Sequence, residues 1–134
     1  MDIRQNGSAP TRRAPADWFT GTVWQEPVID SPTQGNVRAT YVHFTPGGRT
    51  NWHTHPVGQT LYILHGTGRV QSWGGKVREV RPGDVVWFSP GEKHWHGAGP
   101  ATMMTHLAIT EGVDGKFAEW LEPVTDEQHN SSVG

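Results

Sequence analysis

Trp52-His53-Thr54-His55-Pro56-Val57-Gly58-Gln59 is the passage of this 134-residue chain richest in groups that could do chemistry. Side chains two apart on a strand leave the same face, so His53 and His55 can reach one point. Gln59 keeps the same parity and adds an amide oxygen. A third imidazole, His94, follows the turn Ser89-Pro90-Gly91-Glu92-Lys93. Three imidazoles and one oxygen form a set that holds a divalent transition metal and leaves coordination positions open. All four donors are neutral, so the ion keeps its full double positive charge, where a carboxylate would cancel part of it. Such a site is a strong Lewis acid and a good host for an anion or a developing anion. The expectation is metal-assisted chemistry on a small-molecule substrate.

His96 shares parity with His94 and should face the same cavity, as a support to the ligands or a contact for substrate. His106 lies within Met104-Thr105-His106-Leu107-Ala108-Ile109, a strand suited to burial. It reads either as a packed, satisfied ring or as a base beside a cation, which would keep it neutral. Thr40, Val42, Phe44, Ala108 and Thr110 have parities that could line a pocket. His43 and His65 fall on the other parity or in a turn and suit the surface. His129 belongs with a mobile tail. Trp52, Trp87 and Trp95 alternate with the pocket positions and should pack an outer layer or a subunit interface. Asp84 reads as a turn cap, and Glu92 and Lys93 as an exposed turn.

The elements that must position these groups are strands. Seventeen glycines, ten prolines and seven tryptophans suit tight turns and aromatic sheet packing. Strands are expected from Trp18 toward Ile29, over Val37 to Phe44, Arg49 to His55, Gln59 to His65, Arg69 to Trp73 and Lys76 to Val80. Further ones are expected over Val85 to Phe88, around His94-Trp95-His96, and over Thr102 to Thr110. Ser31-Pro32-Thr33-Gln34-Gly35-Asn36 reads as a loop, Gly74-Gly75 as a hairpin turn, and Val85-Val86-Trp87-Phe88 as a buried strand. Trp120 and Leu121 could close a last strand, and Thr125-Asp126-Glu127 could start a short helix. The pattern is that of an all-β sandwich or jelly-roll barrel. Residues 1–17 read as a polar N-terminal arm, 18–128 as the barrel domain and 129–134 as a flexible tail.

Eleven Lys and Arg against thirteen Asp and Glu give a net charge of −2, with the cations scattered. Nothing in that balance points to nucleic acid or an acidic membrane surface. The chain has no cysteine, which excludes disulfides, thiolate metal sites and cysteine nucleophiles. Neither the N-terminal residues nor any later run has the apolar core of a signal peptide or membrane span. The expectation is a cytoplasmic protein.

The combined motifs resemble the cupin family. Gly47, His53-Thr54-His55, Gln59 and Gly66 follow its first motif, and Gly83-Asp84-Val85-Val86-Trp87-Phe88-Ser89-Pro90-Gly91 with His94 its second. Gln59 departs from the usual glutamate, and Ala98 from a frequent asparagine. More narrowly, the two ligand passages, with Pro15 to Val23 and Met104 to Ile109, are similar to bacterial manganese-dependent hydroxynitrile lyases of that superfamily. The resemblance implies a single-domain cupin jelly-roll β-barrel that forms a homodimer or homotetramer. It implies Mn2+ on His53, His55, Gln59 and His94, with Fe2+, Ni2+, Co2+ or Zn2+ as alternatives. It implies reversible cleavage of a cyanohydrin such as mandelonitrile into an aldehyde and hydrogen cyanide. His106 would be the base, with His96 and Thr50 as helpers. Cyanide or a cyanohydrin alkoxide would suit the uncompensated ion. Two other readings stay open: a metal-dependent oxygenase acting on an enol-type molecule, and a non-enzymatic cupin that binds a small ligand.

Overall fold

Val37–Phe44 turns Val42 and Phe44 into the core on one face and buries Ala39 on the other, and it forms one of the three long strands at the centre of the fold. The computed structural model describes residues 1–30 and 35–134. Ser31, Pro32, Thr33 and Gln34, from the expected loop, lie outside the described residues. In chain order the strands are β1 Arg12–Arg13, β2 Phe19–Thr20, β3 Val23–Ile29, β4 Val37–Phe44, β5 Arg49–Thr50, β6 His53–Thr54 and β7 Gln59–Gly66. They continue with β8 Gly68–Ser72, β9 Arg78–Val80, β10 Val85–Phe88, β11 His94–Ala98, β12 Met104–Glu111 and β13 Glu119–Trp120, before the helix α1 Asp126–His129.

Two antiparallel sheets curl against each other as a jelly-roll barrel. One runs β1-β3-β4-β12-β7-β10. In the other, β11 is flanked by β8 on one side, and on the other by β6 opposite His94 and β5 opposite Gly97. The register of the first sheet sets out the inner wall. Val42 pairs with His106, Thr40 with Ala108 and Arg38 with Thr110. On the far side of β12, Ile63 meets His106, Leu61 meets Ala108 and Gln59 meets Thr110. Directly paired residues share a face, so these rows all point into the barrel. A register shift against β7 falls between Thr105 and His106, the kind of bulge that re-aims a side chain. Phe44, Leu61, Ile63, Phe88 and Met104 close the barrel floor, each at most 2 % exposed.

Several expectations need revision. The strand expected from Trp18 to Ile29 is broken into β2 and β3, and that over Arg49 to His55 into β5 and β6, with Asn51 and Trp52 between them. Val85-Val86-Trp87-Phe88 is a strand, but an edge strand buried on one face. Val86 and Phe88 turn inward, while Val85 and Trp87 stay 63 % and 56 % exposed. Trp52 and Trp95 pack away from the cavity, as their parity implies, in a second small core with Val77 and Val124. The polar N-terminal segment is laid along the first sheet: β1 pairs with β3, and Ala14 is buried. The expected mobile tail is tied down as well. His129 is 1 % exposed with Nε2 bonded to the Ala98 carbonyl at 2.8 Å, and Gly134 N–H donates to Val77 at 2.9 Å. The helix behind this has a capping box between Thr125 and Gln128, which satisfies its first N–H groups.

Candidate metal centre

His53 begins β6, His94 begins β11, and the two residues are direct cross-strand partners. Their ring centroids lie 4.3 Å apart. His55 sits just past the end of β6, with its ring 4.9 Å from His53 and 5.4 Å from His94. The turn Pro56-Val57-Gly58 then swings the chain into β7 and delivers Gln59. Gly58 has φ +87°, and a Cβ there would run into the Trp87 indole and within 2.6 Å of the Phe88 carbonyl. Only glycine fits at that position, so the junction between the two donor passages depends on it.

The hydrogen bonds settle which atom each donor presents. Nδ1 of His53, His55 and His94 bonds to the carbonyls of Asn51, Phe117 and Glu92 at 2.8, 2.6 and 2.8 Å. A carbonyl only accepts, so each Nδ1 carries the proton and each Nε2 keeps a free lone pair. Gln59 Nε2 donates to Thr110 Oγ1 at 3.0 Å, which turns Oε1 the other way. His55 Nε2, His94 Nε2 and Gln59 Oε1 are then buried without any partner. Buried polar atoms left unmatched are costly and rare, and three of them together on groups that ligate metals fit a bound cation. Ligating nitrogens of His53, His94 and His96 lie within 4.8 Å of one another, a cluster that could hold a metal ion.

Burial suits these rings to the same purpose. It lowers His94 to about 3, and together with the neighbouring His94 and His55 it holds His53 well below the ordinary imidazole value. His55 is lowered too, again mainly by burial. All three are therefore neutral and unprotonated near neutral pH, as ligands must be. Phe88 stacks on His94 at 3.6 Å and Trp120 on His53 at 4.6 Å, which fixes both ring planes.

His96 and His106 occupy different depths. His96 lines a cavity of about 420 Å³, together with Thr50, His53, His55 and Gln59. His106 lies behind it, fully buried, with Nε2 2.9 Å from His96 Nδ1. His106, the base expected from the sequence, thus sits one ring away from the cavity, in contact with His96, which lines it. His96 Nε2 has no partner. Burial and the adjacent His106 keep His96 well below its ordinary value, and burial lowers His106 to about 3. Thr50 Oγ1 accepts from the His96 backbone N–H at 3.2 Å, which leaves its own proton free to donate. Thr40, Val42, Ala108 and Thr110 line the cavity as expected, whereas Phe44 packs beneath it against His96 and His106. His43 and His65 lie outside it. Trp18, Arg38, Lys116, Phe117 and Trp120 form the rim. None of these five was singled out by parity, because they come from loops and strand ends that meet only in the folded chain.

The buried rings make the metal-free protein acid-sensitive. Unfolding returns His94 and His106 to water, where they protonate near 6.5, against about 3 when folded. Between those values the unfolded chain binds more protons, so stability is fully present above 6.5 and drains as pH falls. Denaturant titration of metal-free protein should lose about 2 kcal/mol for each such ring between about pH 7 and pH 5. A midpoint that holds or rises over that interval contradicts this.

Residues 40–109 match the cupin domain model. The (R)-mandelonitrile lyase of Granulicella tundricola is 57% identical over 129 residues, covering 96% of this chain and 98% of that one. A cupin-like protein from Thermotoga maritima superposes with a TM-score of 0.85 at 38% identity, covering 99% and 98% of the two chains. The polyketide cyclase RemF from Streptomyces resistomycificus shares the fold at 19% identity, with a TM-score of 0.75 and coverage of 96% and 90%.

Proposed function

This chain belongs to the cupin family, and on that premise we propose that it is a metal-dependent lyase cleaving cyanohydrins reversibly into an aldehyde and hydrogen cyanide. The observation that carries the reading is the set of unpartnered donor atoms on His55, Gln59 and His94 beside His53, with no carboxylate among them. The 57% identity to a mandelonitrile lyase supplies the substrate class. His53, His55, Gln59 and His94 would hold the ion, manganese by the likeness to that enzyme group. His96 is left out of the ligand set for a physical reason. Its Nδ1 faces another imidazole rather than a carbonyl, so its tautomer is free to change. Lewis acidity toward an oxygen or cyanide lone pair is the chemistry such an ion supplies when bound.

The protein groups divide the remaining work. In the acceptor tautomer, His96 Nδ1–H donates to His106 Nε2 and the Nε2 lone pair faces the cavity. That nitrogen takes the substrate hydroxyl proton as the oxygen electrons form the carbonyl and the carbon–carbon pair leaves with cyanide. The imidazolium so formed is buried and strongly acidic, and it returns the proton to cyanide as hydrogen cyanide. Thr50 Oγ–H donates to the developing oxyanion. His106 is a positioning residue that selects the His96 tautomer and takes no proton from substrate. The test is cyanide release from mandelonitrile. Manganese-loaded protein should release it, chelated protein should stop, and manganese should restore it. Release that is unchanged by chelation, or none with metal present, refutes the proposal.

A further inference from the structure

We infer that the outer end of the cavity is an anion subsite, and that the substrate carries a carboxylate opposite its reacting carbon, received by Arg38. This deepens the lyase reading and rests on it for the identity of the reacting end. Arg38 shares the inner-face row Arg38–Thr110–Gln59, two strands from the proposed ligand. Neighbouring strands lie about 4.8 Å apart, so the two Cα atoms are about 10 Å apart. An interval of that size suits a rigid aromatic ring.

The guanidinium carbon lies 3.9 Å from the centre of the Phe117 ring. Among the described residues Arg38 makes no ion pair, and neither does Lys116, the second cation on the rim. No aspartate or glutamate is among the described residues that line the cavity. A concave site with cations alone focuses a positive field, and the planar guanidinium fork matches a carboxylate with two parallel hydrogen bonds. Trp18 and Trp120, which also line the cavity, stack on each other at 5.1 Å and 5° and give it a flat aromatic side.

The probes are 4-formylbenzoate and its neutral methyl ester, titrated into manganese-loaded protein by tryptophan fluorescence quenching, which Trp18 and Trp120 report. The acid should bind roughly tenfold tighter than the ester, the scale of one charge-assisted contact. Arg38→Gln should bring the two within about twofold while leaving the ester's affinity unchanged, and Arg38→Lys should keep part of the preference. Equal affinities in the unaltered protein overturn the assignment. So does a preference that survives in Arg38→Gln, since the metal would then be taking the carboxylate. An ester affinity that falls with the acid's means Arg38 merely props the aromatic wall, and overturns it too. Because binding is read apart from turnover, absent cyanide release with the charge preference intact refutes the lyase reading alone. Release without the preference refutes this inference alone.

Discussion

The His94→Ala variant should purify without divalent metal and release no cyanide from mandelonitrile above the rate in buffer. His94 supplies one of four proposed donors and is locked twice, by the Glu92 carbonyl on Nδ1 and by the Phe88 ring on its face. Loss of an outer partner alone costs about 10–100-fold in metal affinity, and loss of the ligand itself should cost more. Truncating a buried ring also leaves a cavity, at about 3 kcal/mol or more, so His94→Phe serves as a fuller-sized control with no ligating atom. Both variants should show the circular dichroism of the metal-free parent. Metal content measured by elemental analysis at the parental stoichiometry in either folded variant contradicts the ligand assignment.

His96→Ala should separate chemistry from metal binding. Removing a general base costs about 10²–10⁴ in rate, and the variant should keep its full complement of metal, because His53, His55, Gln59 and His94 are untouched. His106→Ala should cost less, about tenfold or so, since it acts through the tautomer of His96. The two differ in a way that a purely structural role would not produce. In His106→Gln the amide carbonyl can accept from His96 Nδ1, which should restore much of kcat with KM unchanged. The double variant should be no worse than His96→Ala, because positioning has no value once the positioned ring is gone. If His106→Ala proves as damaging as His96→Ala, and glutamine fails to rescue it, His106 is the base after all.

Much of this centre is visible in the sequence because period-two alternation reports which face a strand residue takes. Val37 to Phe44 and Val85 to Phe88 have their expected limits, and His53, His94 and Gln59 lie on the expected side. Alternation does not report depth. His96 and His106 both face inward, but one lines the cavity and the other lies beneath it, a distinction made by the curl of the sheets. Nor does it report which strand ends a sheet, so the run Val85 to Phe88 reads as a buried strand, whereas Val85 is exposed on the outer face of β10 beside Trp87, which parity turns outward. Arg38 passes unnoticed for a related reason. It is a polar residue near the start of β4, and its meaning comes from Phe117 and Lys116, far away in the chain. His129 offers no periodic signal at all, and the capping box that docks its helix, Thr125 with Gln128, is the cue that could have found it.

In the proposed centre, His53 Nε2, His55 Nε2, Gln59 Oε1 and His94 Nε2 would meet around one ion with no carboxylate. Anomalous diffraction at the manganese edge, on crystals grown from loaded protein, tests it most directly. A single peak within bonding distance of those four atoms, about 2.0–2.3 Å, is the predicted result. A peak that His96 ligates in place of Gln59, or none in the barrel at full metal loading, would contradict it.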